Sequence, residues 1–381
     1  MKKYINPQIK PIYPIYKLNE ETFRIGAQLG ITAEFGDPDR QLWELAVRLD
    51  GRSLVQIVEE MIHLFPELKE DNILEGIELL DKEGFIEERY DDGKDILARY
   101  KANTRYFSRF IGSDKNRYDL QRKLNNTTIL LLGLGGGGSN ILTLLSGVGP
   151  KKIIIVDYDN VEDSNLGRQI LYKEKDLGLP KAEVAGKGIL EMNSNIEIEV
   201  HNKKILSVDD VLKLTVGVDI VISAIDEPPF EAQRIVNEAI VKANLPCVFA
   251  ASQVSRGRVF SVIPMETGCF DCLNIHYSKR DVQFIEQFVG FRNINFNPPT
   301  VAYAPAFYQL AAAIVDEAVR IITGYTEPRS LGTQYEINYE DGSSFTHPSW
   351  IRYAEECPTC GKGKVSDWEI FQYYENKKAN Q

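Results

Sequence analysis

Apolar and polar residues alternate from Thr127 onward in a pattern that predicts a wound α/β sheet. Short apolar runs are separated by longer amphipathic segments, which is typical of parallel β–α–β winding. Two late runs, VFSVIP and QYEINY, predict antiparallel additions to the sheet. The parallel strands are predicted in the runs TILLLG, KKIIIVD, EIEVHN, DIVISAI and PCVFAA.

The first hundred residues show a different pattern, which predicts a small α+β module. Two strand-like runs, TFRIG and GITAEF, are separated by a turn and precede three helical segments. Ser53 is the expected N-cap of the second helix, and Gly84 is expected to end the third before a short strand. A hairpin followed by helices and a terminal strand suggests a winged helix. The helices are predicted in RQLWELAVRLDG, SLVQIVEEMIHLF and NILEGIELLDKEGFIEE.

These patterns divide the chain into four segments. We expect a winged-helix peptide-recognition domain in residues 1–100, a helical linker in 101–126, the α/β domain in 127–363 and a polar tail in 364–381. Winged helices often bind DNA, but the central helix carries Glu59 and Glu60 and no Lys or Arg, so it cannot neutralise phosphates. A peptide-binding or purely structural role is favoured.

Composition and charge narrow the function. The 381 residues, 43% hydrophobic and 26% charged, suit two or three folded domains. A net charge of −11 argues against nucleic acid as the main partner. The N-terminus lacks the apolar core of a signal peptide, and no run of about 18 apolar residues could span a bilayer. We therefore expect a cytoplasmic protein without a membrane partner.

A glycine-rich turn lies between the first strand and helix of the predicted sheet. In TILLLGLGGGGSN, Gly133, Gly135 and Gly138 occupy the positions of GxGxxG, and Gly136 lies in the same turn. Such glycines let the backbone approach phosphates at the positive end of a helix. Asp157 ends the next strand about two dozen residues further on, where an acid can bind ribose hydroxyls. A dehydrogenase would share all of these features.

The segments that follow carry charge which hydride transfer does not need. VDYDNVEDSNLGRQ and LGLPKAEVA resemble the D-x-D-x-V-x-x-S-N-L-x-R-Q and G-x-x-K patterns of the ThiF/MoeB and ubiquitin-activating superfamily of adenylating enzymes. Cations and amide donors there would stabilise the charge that builds as an acyl oxygen attacks the α-phosphorus of ATP. The resemblance implies a Rossmann-like fold, ATP as substrate and these contributing residues: Asp159, Asn165, Arg168, Gln169 and Lys181.

The resemblance implies two further site residues and a homodimer. Asp226 follows the strand DIVISAI and matches the aspartate that binds Mg²⁺ in the family. The family often has Asn after it, whereas Glu227 stands here with two prolines, so a reshaped acceptor pocket is expected. RYFSRF resembles the family's R-Y-x-R-Q segment with one extra residue. It aligns Arg109 with an arginine that reaches the γ-phosphate across a dimer interface.

Four of the five cysteines form two CxxC pairs, and this spacing predicts a structural zinc site. Four thiolates leave no open position for water; a redox pair is the alternative. Cys247 lies in an apolar run and is interpreted as a small buried residue. Relatives that make thioesters carry a cysteine between the two pairs, and this chain has none. The predicted zinc ligands are Cys269, Cys272, Cys357 and Cys360.

The additional N-terminal domain favours one substrate class. A small module ahead of an adenylating domain resembles enzymes that modify ribosomally made peptides, such as the microcin C adenylating enzyme and the pantocin maturase. This architecture implies adenylation of a carboxylate or carboxamide on a precursor peptide, with nitrogen as the subsequent nucleophile. The first alternative is activation of the C-terminal glycine of a sulfur carrier or ubiquitin-like protein. The second is a nucleotide-sensing module without chemistry.

Overall fold

The computed structural model describes residues 4–226, 230–281, 283, 284, 286 and 301–372. Residues 1–123 form one unit and residues 124–381 another. Three segments considered above lie outside the described residues. They are Glu227 with its two prolines, residues 287–300 between the CxxC pairs, and residues 373–381 of the tail.

The first unit combines two small sheets with three core helices. Strands β2, β3 and β4 form an antiparallel sheet, and β1 pairs with β5. The α+β composition expected from the sequence is present, and the winged-helix assignment stays a prediction. The elements are β1 Pro7–Ile9, β2 Ile15–Lys17, β3 Thr22–Ile25, β4 Ala33–Gly36, α1 Gln41–Arg48, α2 Leu54–Leu64, α3 Glu70–Lys82, β5 Ile86–Glu88, α4 Lys101–Ser108 and α5 Arg117–Asn125.

Local sequence signals set the helix ends in this unit. Ser53 caps α2, and its hydroxyl accepts the backbone N–H of Gln56, whose side chain in turn accepts the Ser53 N–H. Gly84 has φ 79° and lies between α3 and β5, as predicted. Ile57, Met61 and Ile77 are buried in the core that the helices share with the sheets.

The second unit is built on an eight-stranded sheet of order β13-β12-β11-β10-β9-β6-β7-β8. Five neighbouring strands are parallel, in the order β10-β9-β6-β7-β8. Strands β11, β12 and β13 extend the sheet in antiparallel fashion beyond β10. All seven strands predicted for this region are confirmed. The strands are β6 Thr128–Leu132, β7 Lys152–Asp157, β8 Glu197–Asn202, β9 Ile220–Ser223, β10 Cys247–Ser252, β11 Arg256–Val262, β12 Gln334–Asn338 and β13 Ser344–Thr346.

Helices cover the sheet and bury its central strands. Helix α6 contacts α7 and α11, while α9 contacts α8 and α10. Residues 129–132 of β6 are fully buried, as expected for a parallel strand with helices on both faces. None of the described helices is long and apolar enough to cross a membrane. The helices are α6 Gly136–Val148, α7 Lys181–Met192, α8 Val208–Leu212, α9 Glu231–Ala243, α10 Phe270–Arg280 and α11 Ala304–Thr323.

The order of the parallel strands determines where a ligand binds. From β6 the chain continues to β7 and β8 on one side of β6, and it then returns to β9 on the other side of β6. Ligands of open α/β sheets bind beyond the carboxyl ends of the strands at such a reversal. The glycine turn follows β6 and Asp226 follows β9, so both lie at this edge of the sheet.

Candidate active site

Two positions at the turn between β6 and α6, Gly133 and Gly138, have room for glycine only. Gly133 has φ 89°, and a Cβ there would lie 2.7 Å from the carbonyl oxygen of Ala224 at the end of β9. A Cβ on Gly138 would lie 1.8 Å from the carbonyl oxygen of Gly133. Gly135 is the extended N-cap residue of α6, which begins at Gly136. The turn therefore presents bare backbone at a helix N-terminus, where phosphate binds.

Asp157 ends β7 beside this turn and is 8% exposed. Its Oδ2 accepts the Leu134 N–H at 2.6 Å and its Oδ1 accepts the Asp159 N–H at 2.8 Å. Burial raises the pKa of this carboxyl, and the two N–H groups and the charge of Lys181 partly offset the effect. Each oxygen has lone-pair capacity left for a ligand hydroxyl.

Lys181 is the first residue of α7 and is almost fully buried, with 5% of its surface exposed. Its ammonium donates to Asp159 Oδ2 at 3.1 Å, and its backbone N–H donates to the Asp159 carbonyl at 2.9 Å. Asp159 is itself 46% exposed. The pair therefore holds a buried cation next to an accessible carboxylate.

Residues 163–169 turn back over the glycines. Asn165 and Gln169 are buried, and Asn165 Oδ1 accepts the Glu162 N–H at 3.1 Å. Gln169 Oε1 is buried and has no hydrogen-bond partner within the described part of the chain. A buried orphan acceptor in a native fold calls for a ligand or a water. This atom fits a site built to hold a polar substrate.

Arg168 lies directly beside the turn. Its Cδ is 3.4 Å from the position that a Cβ on Gly136 would take, and its Nη1 donates to the Ser164 carbonyl at 2.8 Å. The side chain is only partly buried. The remaining guanidinium donors are thus close to where phosphates at the helix N-terminus would lie.

Two residues that the sequence analysis did not select hold this arrangement together. Asn140 is fully buried, and its Nδ2 donates to the carbonyls of Gly136 at 2.8 Å and Arg168 at 3.2 Å. The Tyr172 hydroxyl donates to the Leu134 carbonyl at 2.9 Å. Both contacts join the glycine turn to the 163–172 segment. The pattern of polar residues offered no signal for them beyond the position of Asn140 after the glycines.

The two remaining site candidates lie apart from this group in the chain. Asp226 is exposed three residues beyond the end of β9, next to the Ala224 backbone that touches Gly133. Arg109 belongs to the first unit, where it follows α4 and is exposed. Its guanidinium carbon is 5.5 Å from the ring centre of Phe110.

The two CxxC pairs come together as predicted. The Sγ atoms of Cys269, Cys272, Cys357 and Cys360 all lie within 4.8 Å of one another. The distances are 3.9 Å from Cys269 to Cys272, 3.6 Å from Cys269 to Cys357 and 3.4 Å from Cys272 to Cys360. Zinc–sulfur bonds of about 2.3 Å in a tetrahedron place sulfur atoms about 3.8 Å apart. The four thiols fit a structural zinc ion and form no disulfide.

Replacing Cys272 by alanine is expected to remove the metal and to destabilise the second unit. Metal binding at a four-thiolate site contributes directly to folding, so the free energy of unfolding should fall by more than about 2 kcal/mol. Elemental analysis and denaturant unfolding measure both effects. Cys247→Ala is the matched control, because Cys247 is a buried cysteine of β10 that is not one of the four clustered thiols. Equal zinc content in both variants would contradict the assignment.

The backbone and side-chain groups around the glycine turn together suit one kind of chemistry. A helix N-terminus for phosphates, an acid for ribose and two cations beside the turn can hold a nucleoside triphosphate and stabilise charge on it. These features, with the reversal in strand order, are those expected of an ATP-dependent adenylating enzyme.

The comparison with known proteins gives the family. Residues 101–359 match the ThiF family, and the chain belongs to it. The sulfur carrier protein ThiS adenylyltransferase of Escherichia coli is 30% identical over 259 residues, which cover 67% of this chain and 94% of that protein. ThiF-type relatives are adenylyltransferases, and this protein is one as well.

Two solved structures share the fold over nearly the whole chain. Escherichia coli MccB superimposes with a TM-score of 0.76 and 24% identity, covering 94% of this chain and 97% of MccB. PaaA superimposes with a TM-score of 0.68 and 19% identity, covering 90% of this chain and 99% of PaaA. MccB has been solved with ATP and with MccA.

Proposed function

We propose that this enzyme adenylates a carboxylate or carboxamide of a ribosomally made precursor peptide and releases pyrophosphate. The observation that carries the proposal is the extent of the likeness to MccB, which spans 94% of this chain and therefore includes the first unit. The ThiS adenylyltransferase match covers only 67% of the chain. An additional unit ahead of an adenylating domain gives a peptide a surface to bind.

In this proposal the glycine turn holds the triphosphate and Asp157 holds the ribose. An acyl oxygen of the peptide attacks the α-phosphorus, the bond to the β-phosphate breaks, and pyrophosphate leaves with the charge. Arg168 and Lys181 stabilise that charge as it develops. Asn165 and Gln169 supply amide groups next to them. Asp226 would hold Mg²⁺, a hard cation that neutralises pyrophosphate oxygens.

The second step depends on which nucleophile captures the activated acyl group. The chain has no cysteine between Cys272 and Cys357, so no thiol is available in the segment where thioester-forming relatives carry one. We propose capture by an amide or amine nitrogen. Attack at the carbonyl carbon releases AMP and forms an amide or a ring. Attack at phosphorus breaks the bond to the acyl oxygen, frees the acyl group and leaves AMP on the nitrogen.

The resemblance to the family also leads us to propose a homodimer in which Arg109 contributes to γ-phosphate binding. Arg109→Ala should then weaken ATP turnover without changing the fold of the exposed end of α4. Sedimentation analysis measures the dimer, and steady-state kinetics measure the effect of the substitution. A monomer with full activity would contradict this part of the proposal.

A second candidate function is activation of a carrier protein with a C-terminal glycine. The 30% identity to the Escherichia coli ThiS adenylyltransferase favours it. Both functions predict exchange of labelled pyrophosphate into ATP, but with different acyl substrates. The decisive experiment therefore compares ThiS and a ubiquitin-like protein with short peptides encoded beside this gene. Peptide-dependent exchange with a mass change of the peptide supports the first proposal, and exchange with ThiS alone supports the second.

Asp157→Asn is expected to remove most of the preference for ATP over 2′-deoxy-ATP. A hydrogen bond to a charged acceptor contributes about 1.5–3 kcal/mol, so the wild type should favour ATP by at least about tenfold. Competition binding with the two nucleotides measures the preference. The full-length wild type serves as control, and an unchanged preference in the variant would exclude a ribose contact.

The same preference should depend on pH in a defined direction. Burial raises the pKa of Asp157, so its carboxylate takes up a proton at a higher pH than an ordinary aspartate of pKa 3.8. Protonation removes the charge that strengthens the ribose contact. The preference for ATP should be complete above the raised pKa and should decline as the pH falls through it. The Asp157→Asn variant should show no such decline.

A further inference from the structure

A cavity of about 300 Å³ opens within the first unit, and Arg109 is the one residue assigned above to the adenylating site that lines it. The connection from β1 to β2, the connection from β3 to β4, and the helix α4 enclose it. Its walls are apolar except for two guanidinium groups, two phenols and the carboxamide of Gln28. The principal lining residues are Ile12, Tyr13, Ile31, Arg105, Tyr106 and Arg109.

The two arginines are four residues apart, so they project from the same side of α4 and its C-terminal end. Both are exposed. Arg117 pairs with Glu87 at 3.0 Å and Arg122 with Asp91 at 2.9 Å. Arg105 and Arg109, by contrast, form no ion pair with any carboxylate of the described residues. The cavity therefore has two positive charges at its wall that this part of the chain does not neutralise.

Tyr13 is close to this charge. Burial raises the pKa of its phenol, and the charge of Arg109 works in the opposite direction. The Tyr13 ring also packs edge-on against Phe85 with ring centres 5.3 Å apart, which fixes one wall of the cavity. An apolar body would meet aromatic surface here, while an anionic group would meet the arginines.

The opposite side of α4 is held firmly in place. The Ser108 hydroxyl donates to Glu87 Oε2 at 2.7 Å, and Glu87 is buried in β5. Lys10 is 2% exposed and donates to the Arg109 carbonyl at 3.5 Å. Phe107 is buried as well. These contacts fix the backbone positions from which the exposed side chains of Arg105 and Arg109 project.

We propose that this cavity binds a carboxylate of the peptide substrate through Arg105, together with an adjacent apolar side chain. Guanidinium groups bind carboxylates through paired N–H donors, and the aromatic and aliphatic walls suit one apolar side chain. A volume of about 300 Å³ is at the lower end of ligand pockets, so it accommodates a residue or two and not an extended peptide. The inference deepens the proposed function, since it assigns acidic character to part of the peptide.

The carboxylate has two sources, an acidic side chain or a chain terminus, and small probes distinguish them. N-acetylglutamyl-leucinamide carries a side-chain carboxylate, and N-acetylleucyl-leucine carries a terminal one. N-acetylglutaminyl-leucinamide is the neutral control. Ligand-observed NMR titration of the full-length protein measures the affinity of each probe. The variants are Arg105→Ala and Arg105→Lys, with Lys101→Ala as a matched loss of positive charge on the same helix outside the cavity.

We expect at least one carboxylate probe to bind about fivefold or more tightly than the neutral probe, as a charge-assisted contact worth about 1 kcal/mol requires. Arg105→Ala should abolish this preference, Arg105→Lys should retain part of it, and Lys101→Ala should leave it intact. The probe that binds identifies the source of the carboxylate.

Three results would overturn the inference: no preference for either carboxylate, a preference that survives in Arg105→Ala, or displacement of the probes by Mg²⁺-ATP. The last would assign the arginines to the nucleotide. Probe binding requires no ATP turnover. A failure of peptide adenylation would therefore leave this result untouched, and a failure of probe binding would leave the proposed function standing.

Discussion

Gly138→Ala is expected to reduce ATP affinity by about 100-fold or more and to destabilise the second unit. A Cβ at this position would lie 1.8 Å from the carbonyl oxygen of Gly133, and a backbone atom cannot move aside cheaply. The start of α6 must shift away from β6, which displaces the N–H groups that bind phosphate. Overpacking of this kind costs about 1–3 kcal/mol of folding stability, and lost phosphate contacts reduce affinity tenfold per 1.4 kcal/mol.

The neighbouring glycine provides the control. A Cβ on Gly137 meets no atom within 4 Å, although Gly137 belongs to the same first turn of α6. Gly137→Ala should therefore keep ATP affinity, and it should stabilise the helix slightly because alanine has the higher helix propensity. Calorimetric ATP titration and urea unfolding measure the two quantities. Equal ATP affinity in the two variants would contradict the assignment of this turn to the triphosphate.

Arg168→Ala is expected to lower the rate of peptide-dependent pyrophosphate exchange by about 10²–10³-fold. Its side chain is partly exposed, and its Cδ lies 3.4 Å from the position that a Cβ on Gly136, the first residue of α6, would take. Because its side chain makes a single hydrogen bond within the described residues, to the Ser164 carbonyl, the free energy of unfolding should change by no more than about 0.5 kcal/mol. The loss should appear in kcat/KM, since the contact strengthens in the transition state.

Two further variants separate charge from position. Arg168→Lys keeps a positive charge but loses the planar fork of donors, so it should recover only part of the activity. Lys175→Ala removes an exposed cation from the connection before α7 and should leave the rate unchanged. If Arg168→Ala retains the wild-type rate of pyrophosphate exchange, the proposed role of this arginine in stabilising charge is wrong.

The sequence predicted the sheet of the second unit well because its strands are buried and regular. Every residue of β9 is buried, and the run DIVISAI shows this directly. The cysteine cluster could be predicted equally well from the sequence, since CxxC spacing places two thiols at one turn. Ser53 was recognised because an N-cap signal is local. Local signals of these kinds do not depend on the rest of the fold.

Other features depend on contacts between distant residues and could not be predicted. β1 is three residues long and pairs with β5, which places Pro7 opposite Glu88. Tyr172 joins the glycine turn through a hydrogen bond to Leu134, 38 residues away in the chain. Arg105 becomes a candidate binding residue only because two loops fold against α4. Such features follow from tertiary packing rather than from local pattern.

The central claim is that ATP is bound for transfer at its innermost phosphorus. The most direct test incubates the enzyme with Mg²⁺, a peptide encoded beside the gene and ATP labelled at either the α- or the γ-phosphate. The account predicts that the α-label appears in AMP or on the peptide and the γ-label in pyrophosphate. Formation of ADP and orthophosphate, with the α-label retained in ADP, would contradict it.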